Sequence, residues 1–381
     1  MLNLKSAYYY FLATRINIFK IFRKIYFSTS SYNKSLYSII PEKLYFFPSP
    51  FLLSSFTNHE DFSFKVLKVD PDLFWAKDNK SINGEKINNF LWLNLIDRKN
   101  DSTTIQKIIT SWIYKNKKYK KSTWNNANIS KRIISWIFNS DIILKNTNLI
   151  FKEEFFKSLI TQINHLKKNI RYEYDYPKKL EALTAILISG LVFKECFKNY
   201  EDYIRELEKI IDNFFDKDGY PLNKNPNSLL KCSKYLILLK ECIKSAQQHS
   251  PDYLDEIVDK IINCLKSLSS PDKRLPLING TTLINISEYL NYIEKLKYSY
   301  GKNKNKVGNI QILKFKKNFI YFDTGSPPEK KFSKSYQSGP LSFEYFLDGE
   351  KIITNCGYGL NISRKAKLLS RLTSAQSTLC I

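Results

Sequence analysis

Two loops of this chain hold residue types that could do chemistry. In the first, Asp218 to Pro226 reads DGYPLNKNP. The Tyr220 phenol could act as an acid or a base, and the Lys224 ammonium could hold a carboxylate. A structural explanation is also available: an Asp-Gly turn, a tyrosine that covers the preceding helix, and Asn225 before Pro226 as a helix cap. Both interpretations remain open on the sequence alone.

The second loop, Arg171 to Tyr176, carries tyrosines beside a basic residue. Tyr172, Tyr174 and Tyr176 alternate with other residues, and the faces of tyrosine rings suit stacking on sugars. Because the chain contains 25 tyrosines, the cluster could equally reflect composition.

The stretch from Tyr321 to Tyr358 combines predicted strands, tight turns and clustered polar groups. Two apolar runs, 341–345 and 352–353, flank Asp348 and Gly349, a dipeptide that readily takes the positive φ angles of a hairpin turn. A glycine and two prolines at 325–328 break an earlier strand pair centred on 312–322. The sequence therefore predicts a β-sheet that begins near residue 310.

Several short motifs resemble those of the heparinase II/III-like family of polysaccharide lyases. They occur in the family's order and cover the chain from about Trp112 to Ile381. The motifs are DGYPLNKNP from Asp218, LPLING from Leu275, DTGSPP from Asp323, YQSGPLSFE from Tyr336, NCG from Asn355, and SRLTSAQSTLCI near the C-terminus.

The resemblance and the hydrophobic pattern together predict an α+β multidomain protein. Apolar residues recur at helical spacing from about residue 80 to 298, and Asp252 to Leu268 is the clearest amphipathic helix, with Ser250 as its expected N-cap. Similar patterns predict helices at Thr104 to Lys115, Ser130 to Leu144, Lys152 to Ile170, Lys178 to Phe193, Tyr203 to Phe215, and Ser228 to Ile243. The family implies an N-terminal (α/α) toroid of helical hairpins followed by an antiparallel β-sandwich. We predict an aromatic-rich lead-in at 1–79, the toroid at 80–300, a linker at 301–309, and a β-domain at 310–381. The family's β-domain continues beyond this motif, so we expect this one to be incomplete, with missing strands.

The family's reaction, as the resemblance implies it, is β-elimination on a uronic-acid-containing polysaccharide. A polar group neutralises the carboxylate, a base removes the C5 proton, and an acid protonates the leaving oxygen. Two positions that are usually histidine in the family are Gln337 and Gln376 here, and glutamine cannot transfer protons near neutral pH. We nevertheless assign the catalytic positions to Tyr220, Gln337 and Gln376. The expected substrate-binding residues are Arg171, Lys224, Asn225, Tyr336, Asn355 and Arg371.

We expect no cofactor and no metal. Some relatives hold a structural zinc, but the matching positions here are Gln337, Asn355 and Gln376, and neutral amides are poor zinc ligands. The three histidines, at 59, 165 and 249, match none of the motifs, and packed or solvated roles are favoured for them. Arg371 could hold a uronate or sulfate, or form an ion pair with Glu344.

The charge balance favours an acidic partner. The chain has 60 Lys and Arg against 36 Asp and Glu, a formal charge of +24, although an A+T-rich genome would give a similar composition whatever the function. The lysines are spread over nearly every helix, so nucleic acid is not the expected partner. We expect an acidic polysaccharide as partner, and the sequence leaves the oligomeric state open.

The location of the protein is predicted from the family alone. No clear signal peptide and no membrane span is found in the sequence, and the six separated cysteines are typical of buried free thiols. Family relatives imply the cell envelope or periplasm, with the cytoplasm as the alternative. The leading functional hypothesis is a polysaccharide lyase or a degenerate derivative of one; a non-catalytic protein that binds acidic glycans is the alternative.

Overall fold

The computed structural model describes residues 4–57, 75, 86–99, 102–194 and 197–378. Helices dominate the chain up to residue 295, and a five-stranded antiparallel sheet follows, so the α+β class is confirmed. Contacts divide the chain into two compact units. The first comprises residues 1–50, 60–173 and 188–198, and the second comprises 51–59, 174–187 and 199–381. This division differs from the predicted one, which places a boundary at 301–309. Much of the predicted lead-in, at 58–74 and 76–79, lies outside the described residues.

The helices of the first unit pack around a cluster of aromatic rings. Phe90, Trp112 and Trp136 are all but fully buried, and their ring centroids lie 5.2 to 5.7 Å apart in edge-to-face pairs. Such pairs stabilise a core beyond the area that they bury. The helices are α1 (Leu4–Ser28), α2 (Ser30–Lys34), α4 (Ser102–Lys115), α5 (Asn126–Phe138), α6 (Ser140–Ile143) and α7 (Leu149–Asn169).

One predicted helix of the first unit, Ser130 to Leu144, is divided in the structure. Asn139 lies between α5 and α6 with φ −104° and ψ 18°, outside the helical region. Its side-chain amide donates to the Ser135 carbonyl at 2.8 Å. Asparagine side chains compete in this way with the backbone bonds of a helix, which explains why an uninterrupted apolar pattern contains a break.

The helices of the second unit begin and end close to the predicted residues. Asn225 caps the helix that starts at Pro226, because its Oδ1 accepts from the Asn227 N–H at 2.8 Å. The expected cap at Ser250 is wrong: Pro251 holds the cap position, and the Ser250 hydroxyl donates to Asp255 at 2.8 Å. The helices are α3 (Ser54–Thr57), α8 (Tyr176–Val192), α9 (Tyr200–Phe214), α10 (Pro226–Ser245), α11 (Asp252–Leu268), α12 (Ser287–Lys295) and α13 (Arg364–Leu369).

The sheet of the second unit has the strand order β1-β2-β3-β4-β5, with every neighbouring pair antiparallel. Asp348 and Gly349 have φ values of 51° and 91°, so the hairpin predicted at this dipeptide is confirmed. The first strand lies inside the segment predicted as a linker. Within the described residues there is one sheet, and a second sheet that would complete a sandwich is not among them. The strands are β1 (Lys306–Val307), β2 (Ile310–Phe315), β3 (Asn318–Asp323), β4 (Phe343–Leu347) and β5 (Glu350–Ile353).

The turn between β1 and β2 packs directly on Tyr220. Gly308 has φ +56°, and a Cβ placed there would lie 2.1 Å from Cδ1 of the Tyr220 ring. Both the backbone conformation and the close approach therefore require glycine. The sheet is in this way joined to the loop after α9.

Replacing Gly308 with alanine should lower the free energy of unfolding by about 3 kcal/mol, because the methyl group overlaps a buried ring and the backbone is strained. Gly349→Ala is the matched control. It shares the positive φ, +91°, but has no atom within 4 Å of the added Cβ, so a loss of only about 1 kcal/mol is expected. Denaturant unfolding measures both, and equal losses would contradict the packing role of Gly308.

Candidate active site

The loop after α9 turns tightly and places Tyr220 in the interior. The Asp216 carboxylate accepts from the N–H groups of Asp218 and Tyr220 at 3.0 and 2.9 Å, which fixes the turn. Tyr220 is 0% exposed, and its hydroxyl donates to the Lys224 carbonyl at 3.1 Å. Burial raises the pKa of Tyr220 well above its usual value. A buried phenol that donates to a backbone carbonyl suits a structural role rather than proton transfer.

Asn225 also serves the local structure. Besides capping α10, its amide donates to the Ser335 hydroxyl at 3.4 Å. Gly280, which ends the LPLING motif, fits closely between them: a Cβ there would lie 2.6 Å from the Ser335 carbonyl oxygen and 2.9 Å from the Asn225 amide nitrogen. Asn225 thus joins two helical-region loops to the segment that follows β3.

Gln337 is buried, and its amide is held by three backbone groups. The Gly280 N–H donates to its Oε1 at 2.8 Å, and its Nε2 donates to the carbonyls of Gly357 and Ser370 at 3.0 and 2.8 Å. The side chain is 1% exposed. Since both amide donors and the acceptor are occupied, Gln337 presents no group to a substrate.

Gln376 meets Gln337 at a single carbonyl. Its Nε2 donates to the Ser370 oxygen at 2.9 Å, the same atom that accepts from Gln337. The two positions that the family usually fills with histidine are therefore brought together here. Both glutamines bind the Ser370 backbone carbonyl instead of supplying a group that could react with a substrate.

Asn355 links the segment 376–378 to the turn after β5. Its Oδ1 accepts from the Ser377 N–H at 2.8 Å, and the residue is 2% exposed. Its Nδ2 is buried and has no hydrogen-bond partner among the described residues. A side chain so placed would reach a substrate only after the segment 376–378 moved.

Glu344 pairs with a lysine of the next strand, and not with Arg371. Its Oε2 lies 3.1 Å from the Lys351 Nζ, and its Oε1 accepts from the Thr354 hydroxyl at 2.7 Å. The alternative of an Arg371–Glu344 ion pair is therefore wrong. Arg371 instead donates through Nε to the Tyr336 carbonyl at 3.2 Å.

Asp323, which the sequence analysis did not select, is the centre of the polar cluster. It is 0% exposed, its Oδ2 accepts from the Asn279 amide at 3.0 Å, and its Oδ1 accepts from the Asn309 amide and from the Gly325 N–H. Burial raises the pKa of this carboxyl, and the hydrogen bonds from Asn279 and Asn309 partly oppose the shift. In the sequence, the one indication of this role was that Asp323 begins the DTGSPP motif, two residues before the glycine of a turn.

Tyr336 is the phenol that is best placed for chemistry. Its ring is half-buried, whereas its hydroxyl is buried and has no hydrogen-bond partner among the described residues. Burial, and then the nearby charge of Asp323, raise the pKa of Tyr336 to about 12. The phenol is consequently protonated at neutral pH and can donate a hydrogen bond or a proton.

Two cationic side chains lie in the same cluster. Lys224, held at φ +59°, is half-buried, and its charge lowers the pKa of Asp323. Arg371 is half-buried beside the Tyr336 backbone and makes no ion pair within the described part of the chain. Lys224 and Arg371 are therefore partly exposed cations, whereas the buried Tyr336 hydroxyl would meet a ligand only after a local movement.

Arg171 lies in the first unit, in a cavity of about 560 Å³. Its guanidinium lies over the Tyr172 ring at 4.7 Å, and that of Arg23 lies over the same ring at 4.1 Å. Lys167 and Lys168 also line the cavity, and no carboxylate is among the described residues that form it. Four cations beside aromatic faces suit an anionic sugar.

The described histidines and cysteines lie apart from the cluster around Asp323, except for Cys356 near its C-terminal segment. His165 is 1% exposed, lies 2.8 Å from the Tyr32 hydroxyl through Nδ1, and has a pKa lowered to about 3 by burial, so it stays neutral. His249 is exposed, and His59 lies outside the described residues. Within the described ranges no three His, Cys, Asp or Glu side chains form a possible metal site. Cys232, Cys242 and Cys264 are buried free thiols, whereas Cys356 is exposed.

Part of the chain is similar to a known protein family. Residues 301–381 match the family model described as "Heparinase II/III-like, C-terminal". The expected resemblance to the heparinase II/III-like family is thereby confirmed for these residues. No curated protein matches the chain.

The fold is similar to those of a heparan sulfate lyase and of heparinases whose structures are solved. Heparan sulfate lyase HepC from Pedobacter heparinus aligns with TM-score 0.57 and 16% identity over 82% of this chain and 54% of that chain. Heparinase III aligns with TM-score 0.60 and 14% identity, over 77% and 53%. The heparinase III BT4657 gene product aligns with TM-score 0.60 and 13% identity, over 86% and 60%. At these identities the likeness is one of fold, and this chain spans little more than half the length of each.

Replacing Gln337 with leucine should lower the free energy of unfolding by about 3 kcal/mol, because the buried Gly280 N–H and Gly357 carbonyl lose their partner. Gln376→Leu, which removes one hydrogen bond to a carbonyl that Gln337 still satisfies, should cost about 1 kcal/mol. Chemical denaturation of both variants measures the difference. If Gln337→Leu were as stable as the wild type, the three-bond role of this amide would be excluded.

Proposed function

We propose that this heparinase II/III-like protein acts on an acidic, uronic-acid-containing polysaccharide as a polysaccharide lyase. The observation that carries the proposal is a group of half-buried side chains linked to Asp323. Lys224 and Tyr336 interact electrostatically with its carboxyl, and Arg371 donates to the Tyr336 carbonyl. Two cations and a protonated phenol match the groups of a uronate and its leaving oxygen. The helical region would form the (α/α) toroid of the family, and the sheet would form part of its β-domain.

Each of the three groups has a chemical role in β-elimination. Lys224 and Arg371 would neutralise the uronate carboxylate, which makes the C5 proton more acidic. Tyr336, with its pKa raised to about 12, would act as the general acid that protonates the departing oxygen. No described side chain of this cluster is placed as the base, because Tyr220 is buried and Gln337 and Gln376 are amides bound to Ser370, so solvent water would accept the C5 proton. We therefore expect elimination to be slow.

The cavity of the first unit is a separate surface that could bind an acidic glycan. Arg171, an expected substrate-binding residue, lines it together with Arg23 and the two lysines 167 and 168. A uronic-acid chain carries regularly spaced negative charges, which these four cations could bind. Binding would then weaken steeply with salt.

Non-catalytic binding of an acidic glycan is the second candidate function. It is favoured by one observation: both family histidine positions are glutamines that hold the Ser370 carbonyl. The cations and aromatic faces would then serve recognition alone. For either function we propose the cell envelope as the location, with the cytoplasm as the alternative.

Elimination is tested by the ultraviolet absorbance of the unsaturated uronate, with heparin, heparan sulfate, chondroitin and alginate as substrates. We expect a slow rise with at least one glycan, and Tyr336→Phe should reduce its rate about a hundredfold through loss of the acid. Tyr220→Phe is the control, because it removes a buried hydrogen bond and should lower stability while the rate of the folded protein is unchanged.

The other outcomes separate the candidates. A rate that survives in Tyr336→Phe would exclude Tyr336 as the acid, and a loss of rate in folded Tyr220→Phe would restore the role first assigned to Tyr220. Salt-sensitive binding without any absorbance rise would support the second candidate. If the protein produced no absorbance rise and bound none of the glycans, the proposed function would be overturned.

A further inference from the structure

The longest helix, α1, exposes an apolar stripe to solvent. Phe11, Ile18, Phe22 and Ile25 follow each other at spacings of seven, four and three residues, which places them on one face of a helix. Their side chains are 66%, 48%, 65% and 60% exposed. Large apolar side chains exposed along one face of a helix are typical of an interaction site.

The charges of α1 have a single sign. The helix contains five basic residues and no acidic residue, and the side chains of Arg15 and Lys24 are exposed. Tyr8, Tyr10 and Tyr26 are also more than half exposed along it. Aliphatic residues, tyrosines and cations without carboxylates are the composition of helices that lie in the interface of an anionic bilayer.

The C-terminal end of α1 is anchored in the first unit. The Arg23 guanidinium donates to the Asn169 side-chain carbonyl and lies over the Tyr172 ring at 4.1 Å. Phe27 packs edge-on against His165 at 5.4 Å between ring centroids. The exposed stripe is therefore presented by a helix that is itself held in place.

We propose that α1 binds the surface of a membrane that contains anionic lipids. The apolar stripe enters the interface, and the basic side chains contact lipid phosphates. A second copy of the chain fits α1 poorly, because the two helices would bring like charges together. A glycan would satisfy the charges but would leave the aliphatic side chains in water. Binding is peripheral, since no helix in the described part of the chain is both long and apolar enough to cross a bilayer.

Vesicle sedimentation of the purified full chain tests this inference, with phosphatidylcholine vesicles and with phosphatidylcholine–phosphatidylglycerol vesicles. We expect binding to the anionic vesicles, weaker binding at high salt, and little binding to the neutral ones. The triple variant Phe11→Ser, Ile18→Ser, Ile25→Ser should bind at least about tenfold more weakly. These three residues avoid the cavity that contains Arg171.

The matched control removes the same number of exposed apolar residues elsewhere, at Leu149, Ile150 and Leu313, which are 80%, 73% and 53% exposed. It should bind vesicles as the wild type does. Absence of wild-type binding, or equal binding by the α1 variant, would overturn the inference. So would a concentration-dependent dimer in sedimentation velocity that the α1 variant abolishes, because α1 would then be a contact between copies.

Discussion

The amide of Gln337 determines how the second unit is assembled. One side chain receives the Gly280 N–H and donates to the carbonyls of Gly357 and Ser370, so three segments distant in sequence meet at one buried point. Breaking this contact would leave the Gly280 N–H and the Gly357 carbonyl buried without partners, and that cost keeps the segments together. The Asp323 cluster, with its two asparagine donors, adds a second polar contact between the same loops and β3.

The hydrogen bonds around Gln337 and Asp323 also determine which side chains remain for chemistry. Residues that the family motifs mark for catalysis, Tyr220, Gln337 and Gln376, are bound to backbone carbonyls in the interior. Residues at the edge of this hydrogen-bonded network, Lys224, Tyr336 and Arg371, keep half-buried positions. Recognition of an acidic sugar needs only the second set, whereas rapid elimination also needs a base that the first set does not supply. Our account therefore favours binding as the stronger property and elimination as the weaker one.

Sequence patterns predicted the helices and strands but not the roles of individual side chains. Helix α11 and the Asp348 hairpin follow from apolar spacing and turn chemistry, which are local properties. The break at Asn139 depends on a side-chain bond to the Ser135 carbonyl, and the central place of Asp323 depends on a contact with Asn279, 44 residues away; the apolar period in the sequence encodes neither. Likewise, Tyr220 and Tyr336 are both candidate acids because both are phenols. Only the structure shows that the Tyr220 hydroxyl is bound to a carbonyl, whereas the Tyr336 hydroxyl has no partner among the described residues.

The most direct test of the account is hydrogen–deuterium exchange with and without an acidic oligosaccharide from the glycan panel. The account predicts slower exchange at 222–225, 333–338 and 370–372 when the sugar is bound, because these backbones carry or adjoin Lys224, Tyr336 and Arg371. It also predicts loss of this protection in a Lys224→Gln, Arg371→Gln double variant, and its retention in Lys314→Gln. Bound sugar that protects only other parts of the chain would contradict the assignment of this cluster as the site.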